Sequence, residues 1–99
     1  MPKVILQISY DIEPSRLDDY LALAKELKTH FSQERKKNYS VFEQKGKKSS
    51  FVEQFVCNSM EEFEALEDDF DQKSEELVNK LETMIQGGKA KYTTLMELD

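Results

Sequence analysis

The sequence predicts an α+β domain in which the elements follow one another as strand–helix–strand–strand–helix–strand. Two stretches of apolar residues at helical spacing, near residues 15–34 and 60–86, indicate two long amphipathic helices. Four short runs with the alternation typical of strands lie near residues 3–12, 38–45, 50–58 and 90–98. We expect residues 1–99 to form one domain, because a chain of this length supports a single core.

The first helix is predicted from its start signal and its apolar stripe. Pro14 lies near the first turn, Ser15 is a candidate N-cap, and Asp18 follows where a carboxylate can meet free backbone N–H groups. One face of this helix should therefore pack on a sheet. Its stripe consists of Leu17, Tyr20, Leu21, Ala24, Leu27 and Phe31.

The second helix is predicted from Ser59 and Glu62, which have the spacing of a capping box. Gly87 and Gly88 are expected to end it in a left-handed conformation. Between the helices, residues 44–48 join the second and third strands as a hairpin, with Gly46 supplying the unusual backbone angle. The apolar stripe of the second helix consists of Phe63, Leu66, Phe70, Leu77, Leu81, Met84 and Ile85.

The continuity of the second helix is left open by the sequence. Its stripe is thin between Phe70 and Leu77, and Asp71 with Ser74 could start a new helix there. The pattern therefore allows either one helix or a break near residues 71–76.

The order of the elements predicts the topology of the sheet. Right-handed crossovers place both helices on one face, which gives an antiparallel sheet with strand order 4-1-3-2, the ferredoxin-like arrangement. On the other face, Gln7 and Gln54 should lie side by side among Ile5, Val52 and Val56. This face is too apolar to meet only water, so we expect it to pack against a second copy in a homodimer.

The composition excludes several classes of function. A net charge of −6 and a pI near 4.8 oppose binding to nucleic acid, and no apolar run is long enough to span a membrane. The first residues lack the pattern of a secretory signal, and the lone Cys57 suits a reducing compartment, so we expect a cytoplasmic protein. One His, one Cys and scattered carboxylates show no metal-ligand spacing, and we expect neither a metal nor a cofactor.

Candidate site residues lie at one edge of the predicted sheet. Tyr10 ends the first strand and Tyr92 begins the fourth, so the two should approach one another, with Glu53 one step below. A partly desolvated Glu53 with a raised pKa, next to tyrosines, could bind a phenolic or carbonyl ligand. The simpler alternative is that both tyrosines are wall residues with solvated hydroxyls and that Glu53 pairs with a lysine. His30, at the edge of the first helical stripe, is a further candidate acid or base, although a lone His is more often structural.

Three stretches carry a resemblance to a known family. They are the first strand running into residues 11–15, the hairpin 39–44 with residues 51–63, and the closing strand 92–98. In architecture and spacing the chain resembles the dimeric α/β-barrel superfamily, particularly its small antibiotic-biosynthesis-monooxygenase-like domains. The resemblance implies that two sheets pack face to face across a dimer and that ligands bind between sheet and helices.

The resemblance also implies an activity. Members include cofactor-free oxygenases of polycyclic aromatic compounds, so we expect this protein to bind or oxidise a small aromatic or polyketide-like ligand. The haem-degrading members resemble one another in an Asn, a Trp and a His, but this chain has no Trp and carries its only His on the first helix. The alternative is a non-catalytic dimeric interaction module with the acidic second helix as its docking face.

Overall fold

Four antiparallel strands form one sheet in the computed structural model, which describes residues 2–68 and 70–98. The strand order is β2-β3-β1-β4, which confirms the predicted order 4-1-3-2. The pattern of alternating side chains predicted these strands to within two residues at each end. They are β1 (Val4–Asp11), β2 (Tyr39–Glu43), β3 (Ser50–Cys57) and β4 (Lys91–Met96).

The helices cover one face of this sheet and occur in three main segments. The first, α1 (Leu17–Lys28), follows a 3-10 turn at Pro14–Arg16 and continues into a π-helical turn at Thr29–Glu34. It packs against β2 and the third helix, whereas the second lies on β1 and β3. The second and third segments are α2 (Met60–Asp68) and α3 (Gln72–Glu82).

The start of the first helix differs from the prediction. Ser15 lies inside the 3-10 turn, where the Arg16 N–H donates to the Glu13 carbonyl at 2.8 Å. The N-cap position of α1 is Arg16, which makes no capping hydrogen bond through its side chain. Ser15 was therefore the wrong cap, because Pro14 starts a tighter turn three residues before the α-helix begins at Leu17.

The second predicted helix is broken between Asp68 and Gln72, and Asp69, which the prediction included, lies outside the described residues. Ser59 caps α2 as predicted, accepting from the Glu62 N–H at 3.1 Å. Asp71 caps α3 by accepting from the Ser74 N–H at 3.0 Å. Because Asp71 caps a new helix, the helix breaks where the apolar stripe has few residues instead of continuing as one helix.

The end of α3 comes earlier than the sequence predicts. The helix stops at Glu82 rather than near residue 86, because Ile85 is extended and forms an isolated antiparallel bridge with Ile12. Gly87 and Gly88 do have positive φ angles of 78° and 73°, but they belong to a separate 3-10 turn at Gln86–Gly88. Tertiary pairing with the first strand thus ends the helix before the glycines are reached.

The strand register assigns each residue to a face. Gln7 lies opposite Gln54, as the sequence predicted. The side-chain N–H group of Gln7 donates to the side-chain amide oxygen of Gln54 at 3.0 Å. Ile8 lies opposite Glu53 on one side and Tyr92 on the other. Because successive side chains alternate, these three residues point to the helix face and the glutamine pair to the opposite one.

The described part of the chain contains no helix with both the length and the hydropathy that crossing a bilayer requires.

Candidate functional site

A cavity of about 630 Å³ separates the sheet from α2 and α3. Its walls are mainly apolar, and Glu53 is the acidic residue on its floor. Tyr92, on the edge strand, lies at the rim and is 66% exposed, so the cavity opens on the β4 side. The floor includes Leu6, Ile8, Glu53 and Phe55, and the roof includes Phe63, Leu66, Val78 and Leu81.

Glu53 occupies the centre of the floor because β3 is a central strand of the sheet. The side chain is only 4% exposed, and its Oε1 accepts a hydrogen bond from the Tyr39 hydroxyl at 2.6 Å. Burial raises the pKa of the Glu53 carboxyl, while hydrogen bonds with Tyr39 and Tyr10 act in the opposite direction. The predicted alternative, a lysine partner, is not what the structure shows, because Tyr39 is the partner.

Three tyrosines extend this polar group beneath the apolar cavity. The Tyr10 and Tyr20 hydroxyls are 2.8 Å apart, and the Glu53 carboxyl is close enough to Tyr10 to raise the pKa of its phenol. Burial is the largest cause of the raised pKa of Tyr10, Tyr20 and Tyr39, and the neighbouring Glu53 carboxyl raises each further. All three phenols therefore stay protonated and act as hydrogen-bond donors or acceptors rather than as anions.

The sheet register explains why two of these tyrosines reach Glu53. Tyr10 lies opposite Phe51 and Tyr39 opposite Phe55, so each is a diagonal neighbour of Glu53 on an adjoining strand. Diagonal neighbours on one face are close enough for long aromatic side chains to meet. Tyr10 was predicted as a site residue and Tyr39 was not, although the register of the predicted hairpin could have revealed it.

The register places Tyr92 opposite Ile8, two residues from Tyr10 along β1, so it is a diagonal neighbour of Tyr10 as Glu53 is. The aromatic ring that packs against Tyr10 is that of Tyr20, at a centroid distance of 5.7 Å. The predicted approach of Tyr92 to Tyr10 stays a prediction. Tyr20 comes from α1, and the sequence identified it only as part of an apolar stripe. Tyr92 contributes to the mouth of the cavity.

His30, the other candidate, lies in a separate polar cluster. Its Nδ1 is 2.9 Å from Glu34 Oε1, and its Nε2 is 2.8 Å from Ser74 Oγ and 3.2 Å from Asp71 Oδ1. Ser74 Oγ also donates to Asp71, and Arg35 pairs with the same carboxylate at 3.0 Å. Both imidazole nitrogens thus have hydrogen-bond partners inside this cluster.

This cluster has a structural role. It connects the π-helical turn to the first turn of α3, and so fixes the roof of the cavity. A hydrogen bond with His30 lowers the pKa of Glu34, and hydrogen bonds from Ser74 lower the pKa of Asp71. His30 itself is not among the described residues that line the cavity, although Ser74 is.

Cys57 and the scattered carboxylates provide no second site. The Cys57 side chain is buried opposite Val4, and burial raises the pKa of its thiol. In the portion of the chain that the structure describes, no three His, Cys, Asp or Glu side chains are grouped so that they could hold a metal ion.

Comparison with known proteins shows the fold. No protein-family model and no curated protein matches the sequence. A solved conserved protein from Methanosarcina mazei Go1 superposes with a TM-score of 0.83 at 10% identity, covering 99% of this chain and 95% of its own. An antibiotic biosynthesis monooxygenase superposes with a TM-score of 0.70 at 21% identity, covering 100% and 98%.

A third structure is SnoaB, a cofactor-independent oxygenase from Streptomyces nogalater. It superposes with a TM-score of 0.72 at 8% identity, covering 94% of this chain and 90% of its own. These similarities confirm the predicted fold: the chain has the ferredoxin-like architecture of the antibiotic-biosynthesis-monooxygenase-like proteins.

Replacing Glu53 by Gln should change how stability depends on pH. An unfolded chain ionises a glutamate near pH 4.3, whereas burial raises this pKa in the folded protein, so between the two values the unfolded state binds fewer protons. The Glu53 contribution to the free energy of unfolding then falls by about 1.4 kcal/mol per pH unit. E53Q lacks this titration and should gain stability relative to the parent as the pH rises through this window.

Urea denaturation of both proteins at a series of pH values measures this difference. The control is E43Q, the same substitution at the exposed end of β2. Parallel pH profiles for the parent and E53Q would show that the carboxyl is not shifted in the folded state.

Replacing Tyr39 by Phe should destabilise the fold, because it removes the hydroxyl that donates to Glu53 and leaves a buried carboxyl oxygen without that donor. The expected loss is about 1–2 kcal/mol in free energy of unfolding. Y92F, which removes an exposed hydroxyl, should stay within about 0.5 kcal/mol of the parent. Equal stabilities for the two variants would contradict a hydrogen bond from Tyr39.

Proposed function

We propose that the protein is a homodimer whose subunits each bind a small aromatic or polyketide-like molecule between the sheet and the helices. The observation that carries this proposal is the cavity of about 630 Å³ with mainly apolar walls and the Glu53 carboxyl on its floor. Small-molecule sites commonly have volumes of about 300–1,000 Å³ and this kind of lining.

The size of the cavity argues against a purely structural role. Protein interiors are close-packed, whereas this space opens at the β4 side and leaves apolar side chains accessible to water. A ligand that displaces this water buries apolar surface, which supports binding as the function.

The outer face of the sheet supports the homodimer. Ile5, Val52 and Val56 remain partly accessible there, and Phe42 and Leu95 are 48% and 44% exposed. Exposed apolar side chains grouped on one face are typical of interaction surfaces. They lie on both sides of the Gln7–Gln54 pair, and the two amides are already hydrogen-bonded to one another, so packing two copies face to face would not leave them unpaired.

The second part of the proposal is that the protein oxygenates this ligand without a cofactor. It draws support from the fold shared with SnoaB, a cofactor-independent oxygenase. In such a reaction dioxygen is the oxidant and the ligand supplies the electrons, so that one oxygen atom enters the ligand and the other leaves as water. Glu53 and its tyrosine partners would supply the hydrogen bonds to the polar group of that ligand.

The alternative, an interaction module that docks through the acidic α2, is favoured only if the cavity binds nothing. Cytoplasmic location, which the sequence predicts, stays a prediction.

The dimer is tested by mass in solution. The parent should have twice the chain mass of 11.6 kDa by light scattering, and V52E should shift it toward one chain, because a buried unpaired carboxylate opposes association. L21E places the same charge at an exposed leucine on α1 and should remain dimeric. A parent mass of one chain would refute the homodimer.

The cavity is tested with fluorene, a neutral tricyclic hydrocarbon, by calorimetric titration. Fluorene should bind the parent, and V78W, which fills the cavity from α3, should weaken binding at least about tenfold. L21W adds the same indole to the exposed face of α1 and should bind like the parent. Equal affinity of V78W and the parent would place the binding elsewhere, and no binding by the parent would favour the interaction module.

A further inference from the structure

The surroundings of the Glu53 carboxyl decide whether it is protonated or ionised. Both of its hydrogen-bond partners, Tyr39 and Tyr10, are uncharged phenols, and the side chain is almost completely removed from water. Arg35, Lys37, Glu82 and Lys89 also line the cavity, but the groups that hydrogen-bond the carboxyl are the two phenols. A buried carboxylate without a charged hydrogen-bond partner is unfavourable, whereas the neutral acid only needs its oxygens and its proton to be paired. The geometry therefore favours the carboxylic acid.

Counting protons shows that one donor is left over. The neutral acid and three phenols hold four O–H groups. Tyr39 donates to Glu53, Tyr10 and Tyr20 share one hydrogen bond, and Tyr10 interacts with the Glu53 carboxyl, so three contacts join the four groups. If Tyr10 accepted from both of its neighbours, its own buried O–H would have no acceptor, so the unused O–H lies at one end of the remaining chain, on Tyr20 or on Glu53.

The two ends differ in what surrounds them. Tyr20 has no solvent exposure, and within the described residues Tyr10 is the partner of its hydroxyl. A buried donor left without an acceptor is strongly unfavourable. Glu53 borders the cavity, where water or a ligand can accept a hydrogen bond. The favourable direction is thus from Tyr20 to Tyr10 and from Tyr10 to Glu53, with the carboxyl proton directed to the cavity.

We propose that Glu53 acts in the cavity as a hydrogen-bond donor, oriented by Tyr10, Tyr20 and Tyr39, and that the ligand presents an acceptor oxygen such as a carbonyl to it. This inference rests on the proposed function, since it names the polar group of the ligand bound there. Around Glu53 the floor is apolar, with Leu6, Ile8 and Phe55 nearby, so the acceptor lies at the buried end of an otherwise apolar molecule.

Three probes with one carbon skeleton test the direction of this hydrogen bond. Fluorene has no polar group, 9-fluorenone has a carbonyl acceptor, and 2-hydroxyfluorene has a phenol that needs an acceptor of its own. Calorimetric titration of the parent near pH 6 should give a dissociation constant for 9-fluorenone roughly three- to tenfold lower than those for the other two. The order should invert in favour of 2-hydroxyfluorene at a pH high enough to ionise Glu53.

Two substitutions identify Glu53 as the source of the preference. E53Q retains an N–H donor in the same shape and should keep the preference for 9-fluorenone at every pH. Methionine in E53M has a similar length but no donor. E53M should bind 9-fluorenone less tightly than fluorene, because the ligand carbonyl loses its hydrogen bonds to water and gains none from the protein. The pH inversion in the parent is a second readout that needs no substitution at this buried position.

The outcomes separate this inference from the function on which it rests. If none of the three probes binds the parent, the proposed function fails. If fluorene binds as tightly as 9-fluorenone, or if 2-hydroxyfluorene binds best near pH 6, ligand binding stands and the donor role of Glu53 is wrong. A preference for 9-fluorenone that survives in E53M would also overturn that role.

Discussion

The Glu53 carboxyl projects from the central strand β3 toward an apolar cavity. The free energy of burying it depends on the hydroxyl groups that reach it from both sides. Tyr39 and Tyr10 come from the neighbouring strands, and α1 adds Tyr20 behind them. Losing any of these hydroxyls removes a hydrogen bond from this buried polar group. The packing of α1 on the sheet is therefore linked to the chemistry of the cavity.

The sequence predicted the sheet and the face on which Glu53 lies, but only part of the site. Alternation along β1 and β3 is a strong signal, because a shift of one residue would move every side chain to the wrong face. The alternation along β1 predicted Tyr10 on the helix side, and the pairing of Glu53 with Ile8 places Glu53 on that side too. The meeting of Tyr10 with Tyr20 depends instead on how α1 is rotated and translated on the sheet, which the helical period does not determine.

The broken helix illustrates a second limit of sequence reasoning. Asp71 and Ser74 have the spacing of a cap, but the same residues are tolerated within a continuous helix, so local sequence left both readings open. The structure decides between them through His30, whose Nε2 contacts Ser74 from a different helix. That contact, between residues far apart in the chain, is what gives the cavity a roof of two segments rather than one.

The protonation state of Glu53 is the claim on which the account of the cavity depends most. Infrared difference spectroscopy of the parent minus E53Q near pH 7 reports it directly, because a protonated carboxylic acid and a carboxylate absorb at different frequencies. The account predicts the carbonyl band of a buried, hydrogen-bonded acid that is missing in E53Q. The band of a carboxylate in its place would contradict the neutral donor.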